Sequence, residues 1–276
     1  MWADRNPFTD DYLQEELDFY GAVPYRNKNV RVTLREPAGR CDDYLNAAFW
    51  DGTRSVPVMY INDRVWMSLT RMEVQSQHLP ILWAKGHVGT IGLGLGHFTL
   101  RAMQKPEVTK VTVFESQPEV IEYFTHTFSH RPGFDKVEII PGCGRVNCIG
   151  KAFDFLYADH YQTMLPDEAL LDLRMIPTVN KLTEGYDSYH FWGLEKVMIE
   201  AILQEVIHPT EIPLKRAFTI MKYMDMWGKT PIQGLAKKVE GYEPPMLPHL
   251  YRPMVDKKFI KDVLNTYPTR WNDAVS

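Results

Sequence analysis

Long apolar runs are missing from this chain of 276 residues. No stretch offers the roughly 18 uninterrupted apolar residues of a membrane-spanning helix, so no membrane partner is expected. The N-terminal segment MWADRNPFTDDYLQEEL is acidic and has no apolar centre, unlike a secretory signal. Cysteine is scarce: Cys41, Cys143 and Cys148 are too few for a disulfide framework and fit a reducing, cytoplasmic setting. No Cys/His cluster has zinc-ligand spacing, so no metal is expected. Repeats and low-complexity tracts are absent. An excess of basic charge is also lacking, and the net charge of −4 weighs against a general nucleic-acid binder. The charge is uneven, with six acids and one base in residues 1–20 and ten bases and six acids in 211–262, which a solvated surface explains most simply.

What is present centres on residues 88–96, VGTIGLGLG. Val88 to Ile91 reads as a short buried strand stopped by glycine. Gly92, Gly94 and Gly96 then form a G-x-G-x-G turn, and HFTLRAM from His97 begins a helix. Strand, glycine turn and helix N-terminus together make a place where backbone can approach a nucleotide-like ligand. A second strand, VTKVTVFE, ends at Glu115, 19 positions after Gly96. A carboxylate at that tip can accept hydrogen bonds from both ribose hydroxyls. A dinucleotide fingerprint would place its third glycine at residue 97, which is histidine here. The form G-x-G-x-G is commoner in enzymes that use S-adenosylmethionine (SAM).

The rest of the chain supplies the frame. TDDYLQEELDFY (9–20) reads as an amphipathic helix capped by Thr9. Residues 28–36 and 55–67 alternate as two strands of a small antiparallel β-unit, and TRMEVQSQHL (70–79) reads as one helix. PEVIEYFTHTF, with proline in its first turn, is a helix. Val137–Ile140 is a third strand, followed by the turn PGCGR, and FDFLYA (153–158) is a fourth strand ending at Asp159. Further on, Asp167–Met175 and Leu194–Ile207 read as helices, SYHFW (188–192) as a fifth strand and Ala217–Met221 as a sixth. Residues 228–253 read as irregular and 256–265 as a last short helix. This rhythm predicts an α/β protein: a Rossmann-like parallel sheet with helices on both faces, Val88–Ile91 central, preceded by the antiparallel unit. The expected division is 1–80, 81–225 and a C-terminal extension 226–276. Gly92–Gly96, Glu115, Cys143 and Asp159 fall at the carboxyl edge of the strands, where such sheets bind ligands.

From Asp63 to Asp159 the chain resembles the spermidine synthase family of polyamine aminopropyltransferases, which has the class I SAM-dependent methyltransferase fold. The family pattern D-G-x-x-Q-x-T-x-R-D-E-F-x-Y-x-E is similar to DRVWMSLTRMEVQSQH, with Asp63, Arg71 and Glu73 matching. Its GGGDGG loop appears as GLGLGH, its V-E-I-D-P-E-V-I as FESQPEVI, its G-D-G/A-R as GCGR and its D-x-x-D-P as DHYQT. The resemblance implies SAM, or decarboxylated SAM, held by Gly92, Gly94, Gly96, Glu115 and Cys143. Departures fall on the acceptor side: Leu95 replaces the loop aspartate, Met67 the polyamine-binding glutamine, Ser76 the tyrosine and Gln162 the second aspartate. Cys143 stands where an aspartate usually receives the adenine amino group. A polycation needs several carboxylates to replace its water.

Asp159 is the candidate catalytic residue, as general base or orienter of the acceptor, against a plain helix cap. His160 and Tyr161 could assist, although neighbours on one loop are not expected all to face inward. His97 reads as a first helical residue and Cys143 as a packed small residue. Three functions stay open: a SAM-dependent methyltransferase on a small-molecule acceptor, an aminopropyltransferase, and a non-catalytic binding protein on the same fold. Leu95 and Cys143 favour the last. Whether the chain forms a homo-oligomer is left open.

Overall fold

The computed structural model describes residues 7, 9–36, 40–42, 44, 49–51, 54–161 and 188–193. The expected helices at 167–175, 194–207 and 256–265, the strand at 217–221, the irregular segment and Gln162 lie outside the described residues.

Helix α1 (Asp10–Tyr20) starts where the sequence places it, with the Thr9 side chain accepting from the Tyr12 amide at 3.2 Å. An antiparallel sheet follows, in the order β1 (Tyr25–Arg26), β2 (Val30–Arg35), β5 (Val56–Ile61), β6 (Arg64–Ser68). Between β2 and β5 a small ribbon pairs β3 (Arg40–Asp42) with β4 (Phe49–Asp51). Residues 55–67 are therefore not one strand but a hairpin. Ile61 faces Arg64 across a two-residue turn whose members, Asn62 and Asp63, have φ of 52° and 60°. Two left-handed residues are what a type I′ hairpin turn needs, and Asn and Asp tolerate that region best after glycine.

The segment 70–79 also differs from expectation. It forms two short helices, α2 (Arg71–Ser76) and α3 (His78–Trp83), joined at Gln77. Pro80 is the cause: it has no N–H to donate to the carbonyl of Ser76, and its ring would collide with that carbonyl in a continuous helix. The kink points Gln77 inward, where it is 2% exposed.

The main sheet contains β7 (Gly86–Ile91), β8 (Val108–Glu115), β9 (Val137–Pro141), β10 (Phe155–Ala158) and β11 (Ser188–Phe191), in the order β11-β10-β7-β8-β9 with every pairing parallel. Counted along the chain this is 3-2-1-4-5, the doubly wound order of Rossmann-like sheets. The strand 88–91 is central, as expected. Helix α4 (His97–Gln104) connects β7 to β8, α5 (Pro118–Phe128) connects β8 to β9, and the short α6 (Gly144–Asn147) follows β9. Because the order reverses at β7, right-handed crossovers place α4 and α5 on one face and the β9-to-β10 connection on the other.

Side chains bear this out. Val88, Val111, Val113, Phe155 and Tyr157 pack with Phe98, Phe124 and the α1 residues Tyr12 and Tyr20 in one buried cluster. On the opposite face, Ile91 and Phe114 lie under Gly144 at the start of α6, so close that a Cβ there would come within 2.5 Å of Ile91 and 3.0 Å of Phe114. Helix α3 runs across the expected boundary at residue 80, and the main cluster joins α1 to the large sheet. No helix among the described residues is long and apolar enough to cross a membrane.

The buried face of α1 carries Tyr12, Leu13, Glu16 and Tyr20. Glu16 is fully buried and holds Arg101 on α4 by two bonds, at 2.8 and 2.7 Å. Its Oε2 also lies 2.7 Å from His97 Nε2. Burial alone would raise this carboxyl, but the bonds and charge of His97 and Arg101 outweigh it and hold it down at about 2. Glu16→Gln should therefore destabilise the protein by about 3 kcal/mol at neutral pH, the low end for a broken buried pair because Arg101 keeps some contact with water. A depressed carboxyl contributes above its unfolded value and loses that contribution as pH falls, here from 4.5 through about 2. Chemical denaturation across that window should show a steeper acid loss in the parent than in Glu16→Gln; equal slopes would refute it.

Candidate functional site

A cavity of about 490 Å³ opens at the carboxyl ends of β7, β8 and β10, where the strand order reverses. Such a switch point is where doubly wound sheets bind ligands, and the volume falls within the range of small-molecule sites. Its walls bring together Gly92, Gly94, Glu115, Cys143 and Asp159 from the expected site. Gly96 does not join them. It is the buried residue that precedes α4 as its cap, where a Cβ would come within 2.3 Å of the Phe124 ring, so its smallness serves the packing of α5.

The glycine turn is closed by the protein itself. Gly92 has φ 95°, and a Cβ there would meet the Asp159 carbonyl oxygen at 2.0 Å. Gly94 has φ 50°, and a Cβ there would meet Met67 Sδ at 2.3 Å. Four of the turn's amides already have protein acceptors. Gly92 N–H donates to Phe114 O, Leu93 N–H to Glu115 Oε2, Leu95 N–H to Met67 Sδ and Gly96 N–H to Leu93 O. On the outer side, the Tyr20 hydroxyl donates to the Leu95 carbonyl at 2.8 Å.

Glu115 ends β8 and is 8% exposed. Besides Leu93 N–H at 3.0 Å, its carboxylate accepts from the Gln117 amide at 2.8 Å, ahead of α5. It thus ties the glycine turn to the next helix. The Ser116 hydroxyl also donates to Oε1 at 3.5 Å, and since a carboxylate offers about four lone-pair positions, one remains for a ligand hydroxyl. Phe114, Ser116 and Gln117 on one side and Gly142 to Arg145 on the other form the walls beside it. Cys143 is exposed on this rim, and its carbonyl accepts from the Val146 and Asn147 amides at the start of α6. These residues suit a nucleoside. The region over Gly94 is narrowed by the Met67 thioether.

Asp159 leaves β10 with its amide bonded to Ile91 O at 2.8 Å. Its Oδ2 accepts from Gln77 Nε2 at 3.2 Å and from the Tyr157 hydroxyl at 3.4 Å. Burial pushes this carboxyl up to about 7, against the Tyr157 and Gln77 bonds and the nearby His190. Two further residues on the rim, His160 and Tyr161, both line the cavity, with ring centroids 4.6 Å apart. All three neighbours stand along the rim because the chain has left the strand there.

Sequence reading alone missed Glu73 and Gln77 as site residues. Glu73, on α2, lines the cavity, is 6% exposed and accepts from Gln77 Nε2 at 2.6 Å. Burial and the Asp159 charge hold its carboxyl well above the usual range. One amide nitrogen therefore serves both carboxyls. On its other side Gln77 Oε1 lies 2.8 Å from His97 Nδ1. The available signal was the spacing: Glu73 and Gln77 stand four apart, hence on one helical face, next to a proline that ends the turn. Trp66 and Trp192 complete the cavity wall, and Trp192 Nε1 donates to Ser76 Oγ at 2.9 Å. Among the described residues no group of three or more His, Cys, Asp or Glu could hold a metal ion.

No family model matches the chain, and no curated protein does. Among solved structures it is similar to a spermidine synthase from Thermotoga maritima, with TM-score 0.36 and 15% identity over 59% of this chain and 53% of that one. A methyltransferase from Geobacter sulfurreducens gives TM-score 0.33 and 16% identity over 40% of this chain and 55% of the other. An SAH-bound methyltransferase of Podospora anserina gives 0.36 and 15% over 56% and 69%. The chain thus spans about half the length of the first two. Likeness at these scores carries no argument of its own, and the fold rests on the strand order and register described above.

Proposed function

We propose that this chain is a SAM-dependent transferase, acting as a methyltransferase on a small-molecule acceptor. The observation that carries the reading is that acids at two strand tips, Glu115 after the second strand and Asp159 after the fourth, face one cavity at the switch point of a doubly wound sheet. Glu115 would hold the ribose, with Phe114, Ser116, Gln117 and Cys143 around the base, and Gly92 and Gly94 would pass beneath the ligand. The cofactor, when bound, supplies a sulfonium-activated carbon. The protein's own task is then positioning, which alone can contribute several kcal/mol, and proton removal from the acceptor. Asp159 is the group placed for that removal.

A second reading, aminopropyl transfer from decarboxylated SAM, gains from one feature: Glu73, which matches the family pattern, stands as a second carboxyl beside Asp159. Against it, the aspartate of the glycine loop is replaced by Leu95, whose N–H a thioether covers.

Thermal shift with SAM, decarboxylated SAM, methylthioadenosine and NAD separates these readings. Stabilisation by about 2.7 kcal/mol is expected for SAM at a hundredfold excess over its Kd. Stabilisation by decarboxylated SAM alone would favour aminopropyl transfer, and none by any of the four would leave a non-catalytic protein.

Glu115→Ala should weaken adenosyl binding by roughly 1.5–3 kcal/mol, the range for a lost bond to a charged group. It should also lower the melting temperature, because the Leu93 and Gln117 amides lose their acceptor. Calorimetric affinity within twofold of the parent would remove Glu115 from the ligand site. Asp159→Asn should keep the SAM-induced shift while turnover falls by about 10²–10⁴-fold. Turnover within about twofold of the parent would strike it from the catalytic role.

A further inference from the structure

We propose that Glu73 and Asp159 work as one carboxyl pair that shares a single proton at the cavity wall, and that His97 is the positioning residue that sets the pair through the Gln77 amide. The pairing itself is a property of the unliganded protein; its use as the proton acceptor of the reaction rests on the transferase reading above.

The geometry has three parts. First, both carboxyls reach the same nitrogen, Gln77 Nε2, at 2.6 and 3.2 Å. An amide nitrogen has two hydrogens, and each carboxyl takes one. Among the described residues neither carboxyl has a lysine or arginine partner. Two like charges in a water-poor place, with one neutral donor group between them, cannot both be ionised cheaply, so one proton stays with the pair. The upward displacement of both groups through burial agrees with this.

Second, the Gln77 amide is held in the orientation that makes this possible. Its Oε1 faces His97 Nδ1 at 2.8 Å, while His97 Nε2 faces Glu16 Oε2 at 2.7 Å. Both neighbours of the ring are acceptors, so a proton on Nδ1 would donate to Gln77 Oε1 and one on Nε2 to Glu16. Arg101 fixes Glu16 in turn. A chain of oriented groups thus runs from a buried ion pair on α1 and α4 to the cavity wall. Gln77 and His97 are both 2% exposed, and neither lines the cavity. They act through the pair.

Third, the other titratable groups around the pair are few. The Tyr157 hydroxyl on β10 donates to Asp159, and His190 on β11 favours its charged form. Glu115, Arg145, His160 and Tyr161 face the cavity from its other walls. When an acceptor X–H binds, the ionised carboxyl of the pair takes its proton, the electron pair stays on X, and the doubly protonated pair is the product of that step.

The test uses the full chain without ligand. Carbon-13 labelling of aspartate carboxyls gives a resonance that Asp159→Asn removes, and its titration reads the pair directly. A parent midpoint near 7 is expected. Labelled glutamate shows the partner: the Glu73 resonance should titrate above that of Asp159 and drop by at least about one unit in Asp159→Asn, since the like charge is gone, while Glu73→Gln leaves the Asp159 midpoint in place because Glu73 is already protonated when it titrates. Gln77→Leu should raise it by about as much, since bonds to the ionised forms are lost. His97→Phe should move it upward too, and His97→Gln, which keeps a donor toward Gln77 Oε1, should restore it. A purely structural histidine would change the melting temperature in both variants and the midpoint in neither. A parent Asp159 midpoint below about 5, or a Glu73 midpoint unmoved by Asp159→Asn, overturns the pair, and both measurements stand even if the Gln77 or His97 variants fail to fold. If SAM fails to bind while the titration behaves as expected, the transferase reading falls and the pair remains.

Discussion

The buried Glu16 carboxylate is the constraint on which the site depends. A charge with no water around it costs several kcal/mol unless it is fully bonded, so it dictates where its partners stand. Arg101 and His97 both come from α4, the helix that follows the glycine turn, and Glu16 comes from α1. The ion cluster therefore fixes α1 against the first helix of the large sheet. The Tyr20 hydroxyl, one turn further along α1, bonds at once to the Leu95 carbonyl and to Tyr123 on α5. The N-terminal helix thus braces the glycine turn from outside. Without it, the turn's carbonyl would lose the Tyr20 hydroxyl and His97 Nε2 would lose Glu16.

From that brace outward the polar groups form a sequence of obligations. His97, held by Glu16, orients Gln77, and Gln77 divides its two hydrogens between Glu73 and Asp159. The kink at Gln77 is what allows one side chain to reach both the interior and the cavity. Pro80 creates it by removing an amide that a continuous helix would require. A feature that looks like a break in secondary structure is thus what sets the acid groups.

Much of this was legible in the residues, and the failures have physical reasons. The central strand, the ends of β8 and β10 and the start of α5 follow from glycine, proline and apolar periodicity, all local signals. The hairpin at Asn62–Asp63 was readable in principle, because two small polar residues between alternating segments are a turn signal. Gly96 was expected at the ligand site, yet glycine serves two different ends, room for a ligand and room for a ring, and only the tertiary position of Phe124 shows the second. Glu73, matched only as part of the family pattern, and Gln77 were not named for the site because what joins them to Asp159 and His97 is non-local. Asp159 is 82 positions from Gln77 and Glu16 is 81 from His97, and no window of sequence joins them.

The same geometry bears on how acidic the cavity is. Where the spermidine synthase pattern has an aspartate on the glycine turn, this chain has Leu95, fully buried and facing the core. Its amide is covered by a thioether, a weak acceptor. Acidity has instead been gathered at the α2 side, where Glu73 and Asp159 share one donor. Two separated carboxylates would draw in a multiply charged cation and hold it by charge at two points. Two carboxyls on one nitrogen behave differently, since repulsion between them removes one charge before any ligand arrives. What remains is a single negative charge with a proton beside it, suited less to binding a polycation than to receiving a proton from an acceptor that is already neutral or singly charged. The aromatic and apolar lining around it, Trp66, Met67, Met72 and Trp192, fits the same kind of acceptor, because it offers surface to a mostly apolar molecule and few compensating charges.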